Sequence, residues 1–367
     1  MPMQWLALLC WGKVATGDHA SGISSSLVER MMAGSELATN SKVTVFGGSG
    51  FLGRHVVRAL ARGGFRVMAG CRRPDLANYL MPLGRVGQIQ VVQTNIRYPA
   101  SLAAALRQSE VAINLVGVLT ESGNQTFESI HVAGARAMAK AAKEAGVRRF
   151  VQVSAIGADA ESDSLYARSK ARAEEAVREV YPDAVILRPS VVFGPEDDFF
   201  NRFAAMARFS PALPLIGGGH TRFQPVFVGD VADVVTLAAE GGATPGAVYE
   251  LGGPGIKTFR ELMEYVLATT QRRRALVPIP FGAMQFPAAA TETLSGLMMG
   301  LFPKTLLMTR DQVRLLGHDN VVSEAAIAEG RTLQGLGNEP RAIESVVPGY
   351  LYRYRKHGQF DRDSRLA

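Results

Sequence analysis

Three glycines, Gly47, Gly50 and Gly53, follow the apolar run Val43-Thr44-Val45-Phe46 and lead into His55-Val56-Val57-Arg58-Ala59-Leu60, a stretch with helical spacing. A phosphate held at a helix N-terminus needs backbone N–H groups aimed at it and no side chain blocking its approach. A GxxGxxG turn between a strand and a helix supplies both. The setting gives the signal its force, because glycines at this spacing inside a loop would mark only a tight turn. Gly47, Gly48, Ser49, Gly50, Phe51, Leu52 and Gly53 are therefore the expected pyrophosphate-binding residues of a dinucleotide fold.

The pattern continues downstream. Apolar runs at 65–69, 89–93, 111–116, 150–154 and 184–187 read as buried strands, separated by alanine-rich helical stretches such as 134–145. Alternating strands and helices predict an α/β fold: a Rossmann-type doubly wound parallel sheet with a smaller mixed C-terminal lobe. Residues 1–41 read as a disordered extension and 42–245 as the NAD(P)-binding domain, with 190–225 contributing to the second lobe. Residues 246–367 read as that lobe and a basic tail. Helices are expected from Asp230, as N-cap, to about Ala239, and over Thr258 to Thr270. The Met-, Leu- and Phe-rich stretch 281–308, broken by Pro287 and Pro303, reads as short helices lying as a lid on their own domain or offering a docking face to a membrane or partner.

Composition excludes several classes. The 367-residue chain is 47% hydrophobic, enough to fill such a core, and its +7 net charge is too diffuse to imply nucleic acid. The excess suits anionic ligands, acidic protein surfaces or anionic lipid. No stretch reaches the roughly 18 uninterrupted apolar residues of a spanning helix, so a soluble or membrane-peripheral protein is expected. Cys10 and Cys71 form no CxxC pair, and His220, His318 and Asp319 show no metal-ligand spacing. His131 reads as a packed or surface residue. The apolar stretch from Trp5 to Trp11 lacks the flanks of a secretory signal.

Cofactor preference is read at the end of the second strand, about twenty residues past the glycine turn, where an acidic residue would bind a ribose 2′-hydroxyl. This chain has Cys71-Arg72-Arg73 there. Guanidinium groups suit a 2′-phosphate, so Arg72 and Arg73 favour NADPH, with NADH still possible.

With these residues the chain resembles the short-chain dehydrogenase/reductase superfamily, in its extended and atypical branches. The resemblance rests on the glycine turn, Asn114-Leu115-Val116-Gly117, Tyr166-Ala167-Arg168-Ser169-Lys170, Leu187 to Pro195 and Val226 to Ala232. It implies that Asn95 and Ile96 flank the adenine, with Asn in place of Asp. Val116, Gly117, Ser154 and Pro189 become further cofactor-contacting positions. Tyr166 and Lys170 become either the catalytic pair, in which Lys lowers the Tyr pKa, or ribose ligands only. One departure matters. The family's substrate-binding hydroxyl falls at Ala155, and losing such a hydrogen bond costs an enzyme roughly 1–3 kcal/mol in the transition state. Ser154 replaces it only if the loop shifts by a residue.

Within the superfamily, residues 43–54, 188–198 and 306–316 and the terminal Pro348-Gly349-Tyr350-Leu351 are most similar to the NAD(P)H-binding accessory subunits of respiratory complex I in their bacterial form. That resemblance implies a structural NADPH, complex I subunits as partners, and a peripheral position at the cytoplasmic face of the inner membrane. The competing reading is a free NADPH-dependent reductase, epimerase or dehydratase acting on a small molecule. The basic aromatic tail Tyr350 to Lys356 reads as a solvated segment, or as one that docks on anionic lipid or a partner subunit.

Overall fold

The computed structural model describes residues 40–282 and 309–356. Nearly all of the expected extension 1–41 and of the apolar stretch 281–308 lies outside the described residues.

Strands β1 (Lys42–Phe46), β2 (Arg66–Cys71), β3 (Ile89–Gln93), β4 (Val111–Asn114), β5 (Arg149–Val153) and β6 (Val185–Pro189) alternate with helices α1 (Phe51–Arg62), α2 (Pro99–Leu106), α3 (Ala133–Glu144) and α4 (Leu165–Val180). Alternation along β1 sorts its side chains to two cores. Val43 and Val45 pack with Val56, Val57 and Leu60 of α1 on one face, while Phe46 packs with Leu102, Met138 and Val177 of α2, α3 and α4 on the other. Burial on both faces explains why the inner strands read as mostly apolar runs, whereas the edge strand β3 carries exposed Gln90 and Gln93.

β1 pairs in parallel with β2 on one side and β4 on the other, with Val43 opposite Val67 and Val111. Strand order reverses at this point, which opens a crevice at the carboxyl ends of β1 and β4.

Beyond β6 the chain alternates between the sheet and a second lobe. The lobe contains β7 (Val192–Phe193), α5 (Phe199–Phe209), β8 (Ala212–Ile216), β9 (Arg222–Phe223) and β10 (Val226–Phe227). Helix α6 (Val228–Glu240) then returns to the α1 face of the sheet, and β11 (Val248–Leu251) pairs with β6. The sheet therefore has seven strands in the order β11-β6-β5-β4-β1-β2-β3, and residues 248–251, expected in the second lobe, extend it instead. Finally β12 (Lys257–Thr258), α7 (Phe259–Thr269), β13 (Ala275–Ile279), α8 (Arg310–Leu315), α9 (Glu324–Ala328), α10 (Ile343–Val346) and α11 (Pro348–Leu351) follow. Phe200, Phe203, Phe223, Phe259, Leu262 and Val347 fill the lobe's own core.

Two sequence expectations change. Asp230 is not an N-cap: α6 starts at Val228, and the buried Asp230 carboxylate takes the Arg341 backbone N–H at 2.7 Å and its Nε at 2.8 Å. The described tail, expected as solvated or as docking on lipid or a partner, is anchored on its own chain while Tyr352, Arg353 and Lys356 stay exposed. Tyr350 donates to Asp197 Oδ2 at 2.5 Å, Leu351 is fully buried, and Arg353 and Arg355 donate to Pro195 O and Thr269 O at 3.0 and 2.9 Å. Thr269 O, at the end of α7, gains its donor from Arg355, and Pro195 O is shared by Arg353 and Asn201.

Candidate dinucleotide-binding site

Gly47 has φ of +82°, which its missing side chain permits, and its N–H donates to Gly70 O at 3.0 Å. Gly53 is required for a different reason: a Cβ there would lie 2.2 Å from Gly47 O. The helix thus sits hard against the turn that precedes it. No side chain caps the N-terminus of α1, whose N-cap is Gly50, so its first-turn N–H groups remain available to an anion. Phe51 and Leu52 open the helix. Ser49 is held by its carbonyl, which accepts from Tyr79 Oη at 2.6 Å.

The other expected positions line the same edge of the sheet. Arg72 and Arg73 follow β2, Asn95 and Ile96 follow β3, Val116 and Gly117 follow β4, Ser154 follows β5, and Pro189 ends β6. The two arginines face different partners. Arg73 is paired with Asp75 at 3.0 Å, both exposed, whereas Arg72 Nη1 donates to Gln125 Oε1 at 2.6 Å. Asn95 Oδ1 accepts from Arg97 N at 3.1 Å, and Ile96 packs where a Cβ on Gly134 would meet it at 2.6 Å. Asn114 shapes the turn after β4: its Nδ2 donates to Gln152 Oε1 at 2.8 Å and its Oδ1 takes the Val116 N–H at 2.9 Å.

Tyr166 and Lys170 lie one helical turn apart on α4, with Lys170 Nζ 5.8 Å from the Tyr166 ring centroid. Gly117 leaves room for that amine, since a Cβ there would lie 3.4 Å from Nζ. Burial disfavours both ions. It pushes the Tyr166 phenol up to about 12 and brings Lys170 down to about 8, the latter partly offset by Glu174. The phenol thus moves away from the value a general acid needs near neutral pH. Ser154 Oγ is buried and has no hydrogen-bond partner among the described residues, while the neighbouring Ala155, at the family's hydroxyl position, is partly exposed and carries no donor.

Phe127, Ser169 and Asp311, to which the sequence assigned no orienting role, hold this arrangement together with His131, which was expected as a packed or surface residue and is packed. Buried His131 accepts the Val118 N–H at Nε2, at 3.0 Å, so its Nδ1–H faces Ser169 Oγ at 2.8 Å, and that hydroxyl donates to Tyr166 O at 2.7 Å. This is not a nucleophile and base pair, because the proton sits on the nitrogen that faces serine. Phe127 stacks on His131 and meets Tyr166 edge-on, at 5.4 and 5.9 Å between centroids. Asp311 caps α4 from the second lobe, taking N–H groups of Leu165 at 2.7 Å and Tyr166 at 3.0 Å. The one available signal was the four-residue spacing of Phe127 and His131.

The profile of the NAD dependent epimerase/dehydratase family matches residues 43–252, from β1 through β11. The chain belongs to this family. Its glycine cradle, uncapped helix and Tyr-Lys pair fit a nicotinamide dinucleotide. Across both lobes the chain is 36% identical over 318 residues to the mitochondrial NADH dehydrogenase (ubiquinone) 1 alpha subcomplex subunit 9 of Arabidopsis thaliana, covering 86% of this chain and 78% of that one. It is 33% identical over 347 residues to the Mus musculus protein of the same name, covering 94% and 88%. The NADPH-dependent quinone oxidoreductase QOR2 of Escherichia coli shares the fold, with a TM-score of 0.63, 19% identity, and coverage of 84% of this chain and 99% of that one.

Proposed function

We propose that this chain is an accessory subunit of a membrane-associated NADH:quinone oxidoreductase, respiratory complex I, and that it holds NADPH for structure rather than for turnover. The observation that carries this reading is identity sustained over 86% and 94% of the chain, through the second lobe as well as the Rossmann sheet, to proteins named as NADH dehydrogenase subunits. The site supports retention. Tyr166 and Lys170 suit a ribose, while the missing hydroxyl at Ala155 and the raised Tyr166 pKa both oppose proton transfer to a substrate. Arg72, with its charge left uncompensated by a neutral partner, favours the 2′-phosphate of NADPH over NADH. No helix among the described residues is long and apolar enough to cross a membrane, and the attachment proposed is peripheral, at the cytoplasmic face of the inner membrane.

Tagged protein from gently solubilised membranes should comigrate with complex I on native gels and carry NADPH in stoichiometric amount. The second reading, a free reductase, epimerase or dehydratase, is favoured by the intact Tyr166-Lys170 pair. There the nicotinamide would supply or accept a hydride while Tyr166 exchanged the proton. Recovery wholly in the soluble fraction, with substrate-dependent NADPH oxidation abolished by Tyr166→Phe, would decide for that reading.

A further inference from the structure

The hairpin that leaves β4 is gripped from two other strand ends. Ser122 and Gln125 exchange backbone hydrogen bonds of 3.1 and 2.9 Å, forming a single antiparallel rung. Arg72, after β2, donates to the Gln125 side chain at 2.6 Å, and Arg97, after β3, donates to Asn124 O. Past the rung, the Phe127 N–H donates to Glu121 Oε1 at 2.7 Å, and the Phe127 ring packs against Tyr166 and His131. Residues 121–127 therefore run from the arginine that follows β2 to the tyrosine of α4, the two ends of the cleft.

We propose that residues 121–127 form a strap across the bound dinucleotide, and that Gln125 is the positioning residue that presents Arg72 to the 2′-phosphate. The proposal rests on the reading of Arg72 as the phosphate reader. Arg72 and Arg73 supply the contrast. Asp75 both orients and neutralises Arg73, whereas Gln125 is a neutral acceptor that fixes one N–H of Arg72 and leaves its charge and remaining donors to an anion. Holding a long side chain before the ligand arrives also removes part of the ordering entropy from binding. At the far end, Phe127 couples the strap to Tyr166, so release of the cofactor requires the strap to lift from both ends.

The test uses the full chain, titrated with NADPH and with NADH by fluorescence, and release rates from stopped-flow chase. Gln125→Glu introduces a carboxylate that pairs with Arg72 and repels the phosphate, so NADPH affinity should fall about tenfold or more, with NADH changed by less than about twofold. Arg97→Ala removes the strap's second hold, at Asn124 O, without touching the Arg72–Gln125 pair, and release of both cofactors should accelerate by a similar factor. An unchanged NADPH to NADH ratio in Gln125→Glu overturns the role of Gln125, and unchanged release in Arg97→Ala overturns the strap. Equal binding of the two cofactors by the unaltered chain would instead overturn the NADPH reading, leaving Arg97→Ala to decide the strap alone.

Discussion

Asp311 hydrogen-bonds the backbone N–H of Tyr166 at 3.0 Å, so a carboxylate from the second lobe caps the helix that carries the candidate Tyr-Lys pair. It also takes the Leu165 N–H at 2.7 Å and the Ser164 hydroxyl at 3.0 Å, adding to the cap that Ser164 makes to Ala167 N at 3.3 Å. A negative charge at this position also favours the positive end of the helix. Asp311→Ala should lower stability by about 1–2 kcal/mol and raise amide exchange at residues 165 and 166. The nearby His318–Asp163 pair is more than half exposed at both ends, and His318→Ala should cost well under ~1 kcal/mol. Equal effects of the two substitutions in urea melts would show that Asp311 is not a cap of this kind.

Gly53→Ala should abolish dinucleotide binding. The added methyl would lie 2.2 Å from Gly47 O and 2.7 Å from Gly48 O, both backbone atoms of the turn itself, so the turn must move. Gly349→Ala, in α11, meets nothing within 4 Å and should leave binding unchanged. Fluorescence titration with NADPH compares the two, and normal binding by Gly53→Ala would remove the glycine turn from the site.

Arg72→Ala should weaken NADPH binding by about tenfold or more, the scale of a charge-assisted hydrogen bond, and leave NADH binding close to unchanged. Arg73→Ala should do much less, because Asp75 already compensates that charge on an exposed surface. Equal loss of both cofactors in Arg72→Ala would assign that arginine to the pyrophosphate or to folding.

His131 gives the fold an acid limit. Burial, reinforced by the Lys170 charge, holds its pKa near 3, well below the ordinary 6.5. Between those values the unfolded chain binds the proton and the folded chain does not. The contribution of His131 is therefore fully present above about pH 6.5 and is lost as pH falls towards 3, at up to about 1.4 kcal/mol per pH unit. Denaturant melts at pH 7 and pH 5 should show the unaltered chain losing more stability than His131→Gln. Parallel losses would mean that the imidazole is not buried in its neutral form.

The sheet was legible because its chemistry is local. The strands are mostly apolar, and the glycine turn and the Tyr166-Lys170 spacing each fall within one short stretch of chain. Strand ends were less so: β4 ends at Asn114, whose side chain takes the Val116 N–H, a turn that no apolar pattern records. The residues that orient the site were far less legible, with the four-residue spacing of Phe127 and His131 as their one local trace. Gln125 meets Arg72 across 53 positions, Ser169 meets His131 across 38, and Asp311 meets Tyr166 across 145. An isolated Asp, His or Gln looks the same in sequence whether it caps a helix or faces water.

Glu174 and Arg188 provide the most demanding test of how α4 is fixed. Glu174 has 2% of its side chain exposed and takes two hydrogen bonds from Arg188, at 2.9 and 2.8 Å, with Glu250 a further 3.7 Å from the same guanidinium. This fork ties α4 to β6 one turn beyond Lys170, and the same carboxylate partly offsets the downward shift that burial gives the Lys170 amine. Arg188→Met would leave a buried carboxylate without its main partner and should cost about 3–5 kcal/mol. Removing both charges, as Arg188→Met with Glu174→Leu, should recover most of that loss, because an apolar pair of similar volume carries no desolvation cost. The double variant should nevertheless bind NADPH less well if Lys170 holds the ribose as proposed, since Lys170 loses the charge that favours its protonated form. Denaturant melts and NADPH titration of the three variants separate the effects. A double variant as unstable as Arg188→Met would show that the fork's geometry, and not the burial of an unpaired charge, holds α4 in place.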